Sequence, residues 1–400
     1  MSELSGKHIV LGLTGGIACY KSAELLRRLM DAGATVDVVM TESACRFITP
    51  TTFQALSGRP VYTDLWDERQ NNSMAHINLT RGADLVLIAP ATTHFMAKLS
   101  HGLADDLLST LCLARSIALL IAPAMNKEMW LAAPTQRNVL QLAQDGVTIL
   151  GPASGLQACG ETGDGRMLEP VEIVERVIGF FQPKVLANLK VLITAGPTCE
   201  PIDPVRMITN RSSGKTGYAI AQAAAQAGAQ VTLVSGPTAL ACPTAVMRYD
   251  VQTAHQMHEV VMAHAHSHDI FIAVAAVADW RITTPSPDKL KKNDGQSPPE
   301  LAFTLNPDIL KEVASLPQAP WCVGFAAETT LDPEQAQQKR VRKGVPLLIA
   351  NLAQEVMDQD HTTVELYDEN GCLPLGTGPK TVIARAIIDQ VARRYRQHQT

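Results

Sequence analysis

Four hundred residues exceed what one typical core needs, so two domains of about 200 residues each are expected. Hydrophobic residues make up 46% and charged residues 18%, which excludes a disordered chain, and a net charge of −5 leaves no basic excess to neutralise nucleic-acid phosphates. The eight cysteines stand singly with no CxxC pair, which excludes a zinc ribbon and gives no disulfide framework. No apolar run reaches the ~20 residues of a bilayer span, and the N-terminal segment lacks a signal peptide's apolar core. A cytoplasmic protein with neither a membrane nor a nucleic-acid partner is the expectation.

Residues 7–13 (KHIVLGL) read as a β-branched strand, followed by Gly15 and Gly16 and then a helix. In that helix Leu25, Leu26, Leu29 and Met30 recur at helical spacing, and Gly33 suits its end. A second strand, VDVVMT, ends in Thr41, and further strands are expected at ADLVLIAP and IALLIAP. After a Pro-containing connector at 182–189 the pattern restarts: strand KVLITA, Gly196, a long loop, helix GYAIAQAAAQAGA and strand VTLVSGP. Strands are then expected at DIFIAVAAVA, APWCVGFAAE and VPLLIA, with a polar flap at 283–299. Each half opens with a βαβ unit. The fold class is therefore α/β, with a domain at 1–185 and another at 190–400. Each is an open, mainly parallel sheet covered by helices, flavodoxin-like in the first half and Rossmann-like in the second. Ligands in such sheets sit beyond the carboxyl ends of the strands.

In the first half, Gly15-Gly16 between strand and helix can cradle a phosphate. The spacing is not GxGxxG, and Thr41 stands where an NAD-binding acid would be, which argues against a nicotinamide site. Beyond the later strands lie Pro90-Ala91-Thr92 and Pro123–Trp130, with His76–Leu79 upstream and a glycine-rich loop at 158–167. GGIACYK, HINL, PAT, PAMNKEMW and ACGETGDGRM resemble, in order, the motifs of the homo-oligomeric flavin-containing cysteine decarboxylases. One departure is His94-Phe95 after PATT, where many members resemble PATAN. The resemblance implies FMN held by Gly15, Gly16 and Ile17, by Thr41, and by Pro90, Thr92 and Ser109, with Met125 on the substrate. A cysteine carboxylate leaves as carbon dioxide only with an electron sink, which oxidation of the CH2–SH to a thioaldehyde provides. His76 is the expected base, since imidazole titrates near neutrality. Asn126 is expected to bind the substrate carboxylate without a formal charge. Cys159 is expected to return a proton, thiols being mostly protonated at neutral pH.

In the second half, Ser213-Gly214-Lys215-Thr216 suggests a P-loop, but the consensus glycine would fall on Thr209 and the strand is distant, so that reading is rejected. The string from Thr194 to Gly214, AAVADW at 275–280, Lys289–Lys292, Asn306–Ile309 and GFAAET at 324–329 resemble the phosphopantothenate–cysteine ligase signature. Together the halves resemble the bifunctional decarboxylase and ligase of coenzyme A synthesis. This implies 4′-phosphopantothenate, cysteine and CTP as substrates, Mg2+ as the divalent cation, and 4′-phosphopantothenoylcysteine passed to the flavin half. Lys289 would meet the reacting phosphate and Asn210 the acyl-cytidylate. Arg206, Ala276, Asp279 and Phe325 would hold substrate or nucleotide, as would Pro307, Asp308, Ile309 and Leu310. Lys339 and Lys343 would neutralise phosphates. The resemblance also implies a homo-oligomer, from trimer-forming decarboxylases and dimer-forming ligases. The histidines at 255, 258, 264, 266 and 268 suggest a metal, but helical spacing spreads them around the axis, so a solvated helix face is expected.

Overall fold

The computed structural model describes residues 3–66, 74–243, 245–291, 300–328, 332–352 and 359–399. The chain divides into two compact units, Met1–Phe181 and Gln182–Thr400.

The first unit is built on β1 (His8–Leu13), β2 (Thr35–Met40), β3 (Val61–Tyr62), β4 (Leu85–Ala91), β5 (Ala118–Pro123) and β6 (Thr148–Ile149). They form one parallel sheet in the order β3-β2-β1-β4-β5-β6. Without the two-residue edge strand β3, this is the flavodoxin-like order; with it, the order matches the dinucleotide-binding fold. Strand alternation explains the burial on both faces. Ile9, Leu11 and Leu13 pack on one side against Leu25, Leu26 and Leu29 of the helix Cys19–Asp31, and Val10 packs on the other with Phe95, Leu107 and Leu108. A hairpin, β7 (Ala153–Leu156) with β8 (Thr162–Arg166), follows the sheet.

The second unit contains β9 (Lys190–Ala195), β10 (Cys199–Pro201), β11 (Met207–Thr209), β12 (Gln230–Ser235), β13 (Val246–Asp250), β14 (Ile270–Ala273), β15 (Trp280–Ile282), β16 (Phe303–Leu305), β17 (Trp321–Glu328), β18 (Leu347–Leu352), β19 (His361–Asp368) and β20 (Gly371–Pro379). The main sheet runs β13-β12-β9-β14-β17-β18-β19-β20, with only β19 and β20 antiparallel to their neighbours. β10–β11 and β15–β16 form separate antiparallel pairs. The helix Lys215–Gln226 lies close on β9 because Gly217 has no side chain: a Cβ there would sit 2.5 Å from that of Ala195. The strand expected over 269–278 stops at Ala273, and 274–279 is a loop held by backbone bonds to Gly196 and Thr198. Among the described residues no helix is long and apolar enough to cross a membrane.

Candidate functional sites

The chain order of the first sheet reverses between β1 and β4, where Thr14 and Thr92 meet. The Thr14 hydroxyl donates to the Pro90 carbonyl (2.8 Å) and accepts from the Thr92 N–H (2.9 Å), tying the two loops together. Beyond them opens a cavity of about 1050 Å³ lined by Gly15, Gly16, Ile17, Thr41, Thr92, Met125, Asn126 and Cys159, among others. Thr41 and Thr92 each cap the helix that follows. Gly15 is required by close approach, since a Cβ would collide with Ser43. The loops and bare glycines give the cavity the shape and backbone donors that a flavin phosphate needs. At the departure noted above, Phe95 is buried in the core and His94 is exposed, and both reach the cavity wall.

Asn126 caps the helix Lys127–Leu131, its Oδ1 accepting from the Glu128 N–H (2.8 Å). That bond turns its amide nitrogen toward the β7–β8 turn. There Nδ2 lies 3.5 Å from Cys159 Sγ, 3.4 Å from Gln157 Oε1 and 2.6 Å from Glu161 Oε2. Gly165 makes this approach possible: at φ 134° it donates no side chain, and a Cβ would run into the Met125 carbonyl. The cavity floor is charged. Lys21 bonds Glu169 (2.7 Å) and holds that carboxyl below its ordinary range. For Lys98, burial pulls the pKa down, but the bonds to Asp105 (2.6 Å) and Asp106 (2.7 Å) prevail and raise it.

Two residues expected on the flavin are absent from the wall. Ser109 is fully buried in a capping box with Asp106, and it is Asp106 that reaches the cavity. Pro90 offers its carbonyl to Thr14 instead. His76, on the helix Ala75–Arg81, also lies outside the lining, and its Nδ1 is buried without a hydrogen-bond partner among the described residues. Gln157, Glu161, Lys21 and Lys98 had no assigned role in the sequence. The glycines around the β7–β8 turn were the signal that this loop approaches something closely, but its partners depend on a long-range contact.

In the second unit the reversal falls between β9 and β14, and a cavity of about 790 Å³ opens there. Ala276, Asp279, Pro307, Asp308, Ile309, Leu310, Phe325, Lys339 and Lys343 all line it. So does Lys215, at the first turn of the helix that begins after Gly214 (φ 79°). Setting the P-loop aside hid this lysine, although the helix N-terminus it sits on favours phosphate. Lys339 and Lys343 are not free cations: they bond Glu328 (2.8 Å) and Asp308 (2.5 Å), and Lys215 bonds Asp360 (2.7 Å). Asn210 donates to the Ala276 carbonyl (2.8 Å) just outside the lining. Arg206 and the exposed Lys289 also stand outside it, joined through Leu290, whose carbonyl accepts from Arg206 (3.1 Å). Lys292 lies outside the described residues, as does Thr329. The buried Asp203 carboxylate accepts from the N–H groups of Val205 (2.8 Å), Arg206 (2.7 Å) and Leu290 (3.2 Å). Burial alone would raise its pKa, but these donors hold it below the carboxylate range.

The histidine-rich stretch occupies the helix Ala254–Ala265 and the turn after it. His258 bonds Glu312 (2.7 Å), His268 bonds Thr232 (2.9 Å), and no metal-holding group of three is found among the described residues.

Comparison with known proteins defines a class first. Residues 1–182 match the Flavoprotein family, and residues 186–395 match the DNA/pantothenate metabolism flavoprotein C-terminal domain. The coenzyme A biosynthesis bifunctional protein CoaBC of Vibrio cholerae is 49% identical over 97% of this chain and 98% of its own. That of Escherichia coli strain K12 is 48% identical over 98% of both. A crystal structure of the C-terminal domain of a CoaBC protein aligns at 36% identity over 54% of this chain and 99% of that one, with a TM-score of 0.46. The chain belongs to the family of the coenzyme A biosynthesis bifunctional proteins.

Proposed function

We propose that the first unit decarboxylates 4′-phosphopantothenoylcysteine with FMN. The second makes that substrate from 4′-phosphopantothenate and cysteine, activating the carboxylate with CTP as an acyl-cytidylate. The observation that carries this reading is the pairing of an uncharged amide, Asn126, with a thiol, Cys159, at 3.5 Å on the wall of a cavity in the flavoprotein half. An amide binds a carboxylate without the ion pair that would oppose its loss. Bound FMN supplies the two-electron oxidation and its reversal. His76 takes the proton of the oxidative step, and Cys159 Sγ returns one at the end. His76 is outside the wall of its own cavity; in this reading the homo-oligomer brings it to the flavin from a second copy.

In the ligase unit Asn210 and Lys289 meet the acyl-cytidylate and the reacting phosphate. Asp279 and Phe325 hold the base, and the cations of the wall hold the phosphates. Asp308 is a carboxylate of the wall available to a Mg2+ that arrives on the nucleotide, the usual mode for this ion. The enzyme is cytoplasmic and homo-oligomeric in this reading. Mass spectrometry of products from 4′-phosphopantothenate, cysteine, Mg2+ and each nucleotide in turn tests it. The expected result is saturated 4′-phosphopantetheine with CTP; no product with any nucleotide would overturn it.

A further inference from the structure

Glu161 belongs to the turn that carries Cys159, yet neither the carboxylate-binding nor the proton-returning role needs it. Its Oε2 lies 2.6 Å from Asn126 Nδ2 and 3.7 Å from Cys159 Sγ. Two backbone bonds close the turn around it: the Gln157 N–H donates to the Glu161 carbonyl (2.8 Å), and the Gly160 N–H to that of Gln157 (2.9 Å). Gln157 Oε1 in turn accepts from the Lys127 N–H (3.0 Å). The Asn126 amide is oriented by the Glu128 N–H, which donates to its Oδ1. Its nitrogen therefore faces an anion of the protein's own, through the shortest of its three contacts. A charge-assisted bond of this kind is about twice as strong as a neutral one.

We propose that Glu161 is an internal stand-in for the substrate carboxylate, a positioning residue that occupies Asn126 until substrate displaces it. The proposal rests on Asn126 as the carboxylate-binding group. Two carboxylates cannot share one amide at this distance without strong repulsion, so substrate entry moves Glu161 aside. Only a ligand that brings its own carboxylate gains Asn126 in exchange. Once carbon dioxide has left, the product has no group to keep the amide, and Glu161 returns to it. The exchange makes the site select for carboxylate at entry and favours product departure.

The test uses the full chain with FMN bound and a His76→Asn background, in which substrate binds without being consumed. Substrate and decarboxylated product are titrated separately by the change in flavin absorbance, with and without Glu161→Gln. Glutamine keeps the size and an acceptor but loses the charge. The expected result is substrate binding tightened on the order of tenfold, as for removal of a competing closed state, with product binding unmoved. Unchanged or weakened substrate binding overturns the proposal, and so does equal tightening of both ligands. If Glu161→Gln loses its flavin, Glu161→Asp takes its place: a shorter side chain grips Asn126 less well, and the same shift confined to substrate is required. Failure of the underlying reading shows separately, as Asn126→Ala that binds substrate like the parent.

Discussion

At Cys159 the thiol sits on a turn whose neighbours are amides and a carboxylate, with no cation in contact with it among the described residues. A hydroxyl is a poorer acid than a thiol, so Cys159→Ser is expected to release carbon dioxide but leave the unsaturated enethiol unreduced, with flavin held reduced. Product mass reads this, and saturated product at the parent rate would remove Cys159 from the mechanism. His76→Asn removes the imidazole while keeping a planar polar side chain on the helix Ala75–Arg81, and it is expected to retain flavin while losing decarboxylation. Motif order singles out Cys159 and His76 as candidates in the sequence, but the hydrogen-bond partners around such residues were not legible there. Ser109 reads as a ligand in sequence, but its hydroxyl is spent on Asp106, and which of two neighbouring polar residues faces a cavity depends on the cap geometry.

Helix placement decides the second cavity. Gly217→Ala would push the helix Lys215–Gln226 off β9, with a loss of about 1–3 kcal/mol typical of overpacking. The helix N-terminus would move with it, so nucleotide KM should rise while flavin content stays constant; thermal melts and ligase kinetics check both. The Asp203 carboxylate fastens β10–β11 to Leu290, one residue from Lys289. Its folded pKa is depressed, so its contribution to stability is present above its unfolded value and lost as pH falls below about 4. Asp203→Asn should flatten that acid-side loss in a pH series of melts and lower ligase kcat, because an amide cannot accept all three N–H groups as a carboxylate does. The parallel core strands were readable from their apolar runs. β19 and β20 were not: GCLPLGTGP lacks strand alternation, and its pairing follows from β18 lying alongside β19. The strand over 269–278 was overextended because AVAAVA is apolar in a loop as well as in a sheet.

Across the whole chain, each unit has its own sheet, core and cavity. Lys289→Gln, on an exposed residue, should therefore leave melting within ~0.5 kcal/mol and flavin content unchanged while abolishing acyl-cytidylate. Trapping the intermediate by rapid quench checks this; accumulation at the parent level would reduce Lys289 to a bystander. The two-unit organisation was legible from the repeated βαβ opening, since a strand, a glycine turn and a helix recur on either side of residues 182–189. The charge state of the second cavity was not, because Asp360 is 145 residues from Lys215. Those pairs make the wall an ion exchanger with tethered counterions. A phosphate that takes Lys343 breaks its bond to Asp308, so dissolved salt weakens the contact that forms and the contact that is lost alike. Nucleotide affinity should consequently fall only gently between low and moderate ionic strength. In Asp308→Asn the resident anion is gone, and binding should be tighter at low salt and fall more steeply. Equal slopes in the two proteins would mean that Lys343 is not exchanged.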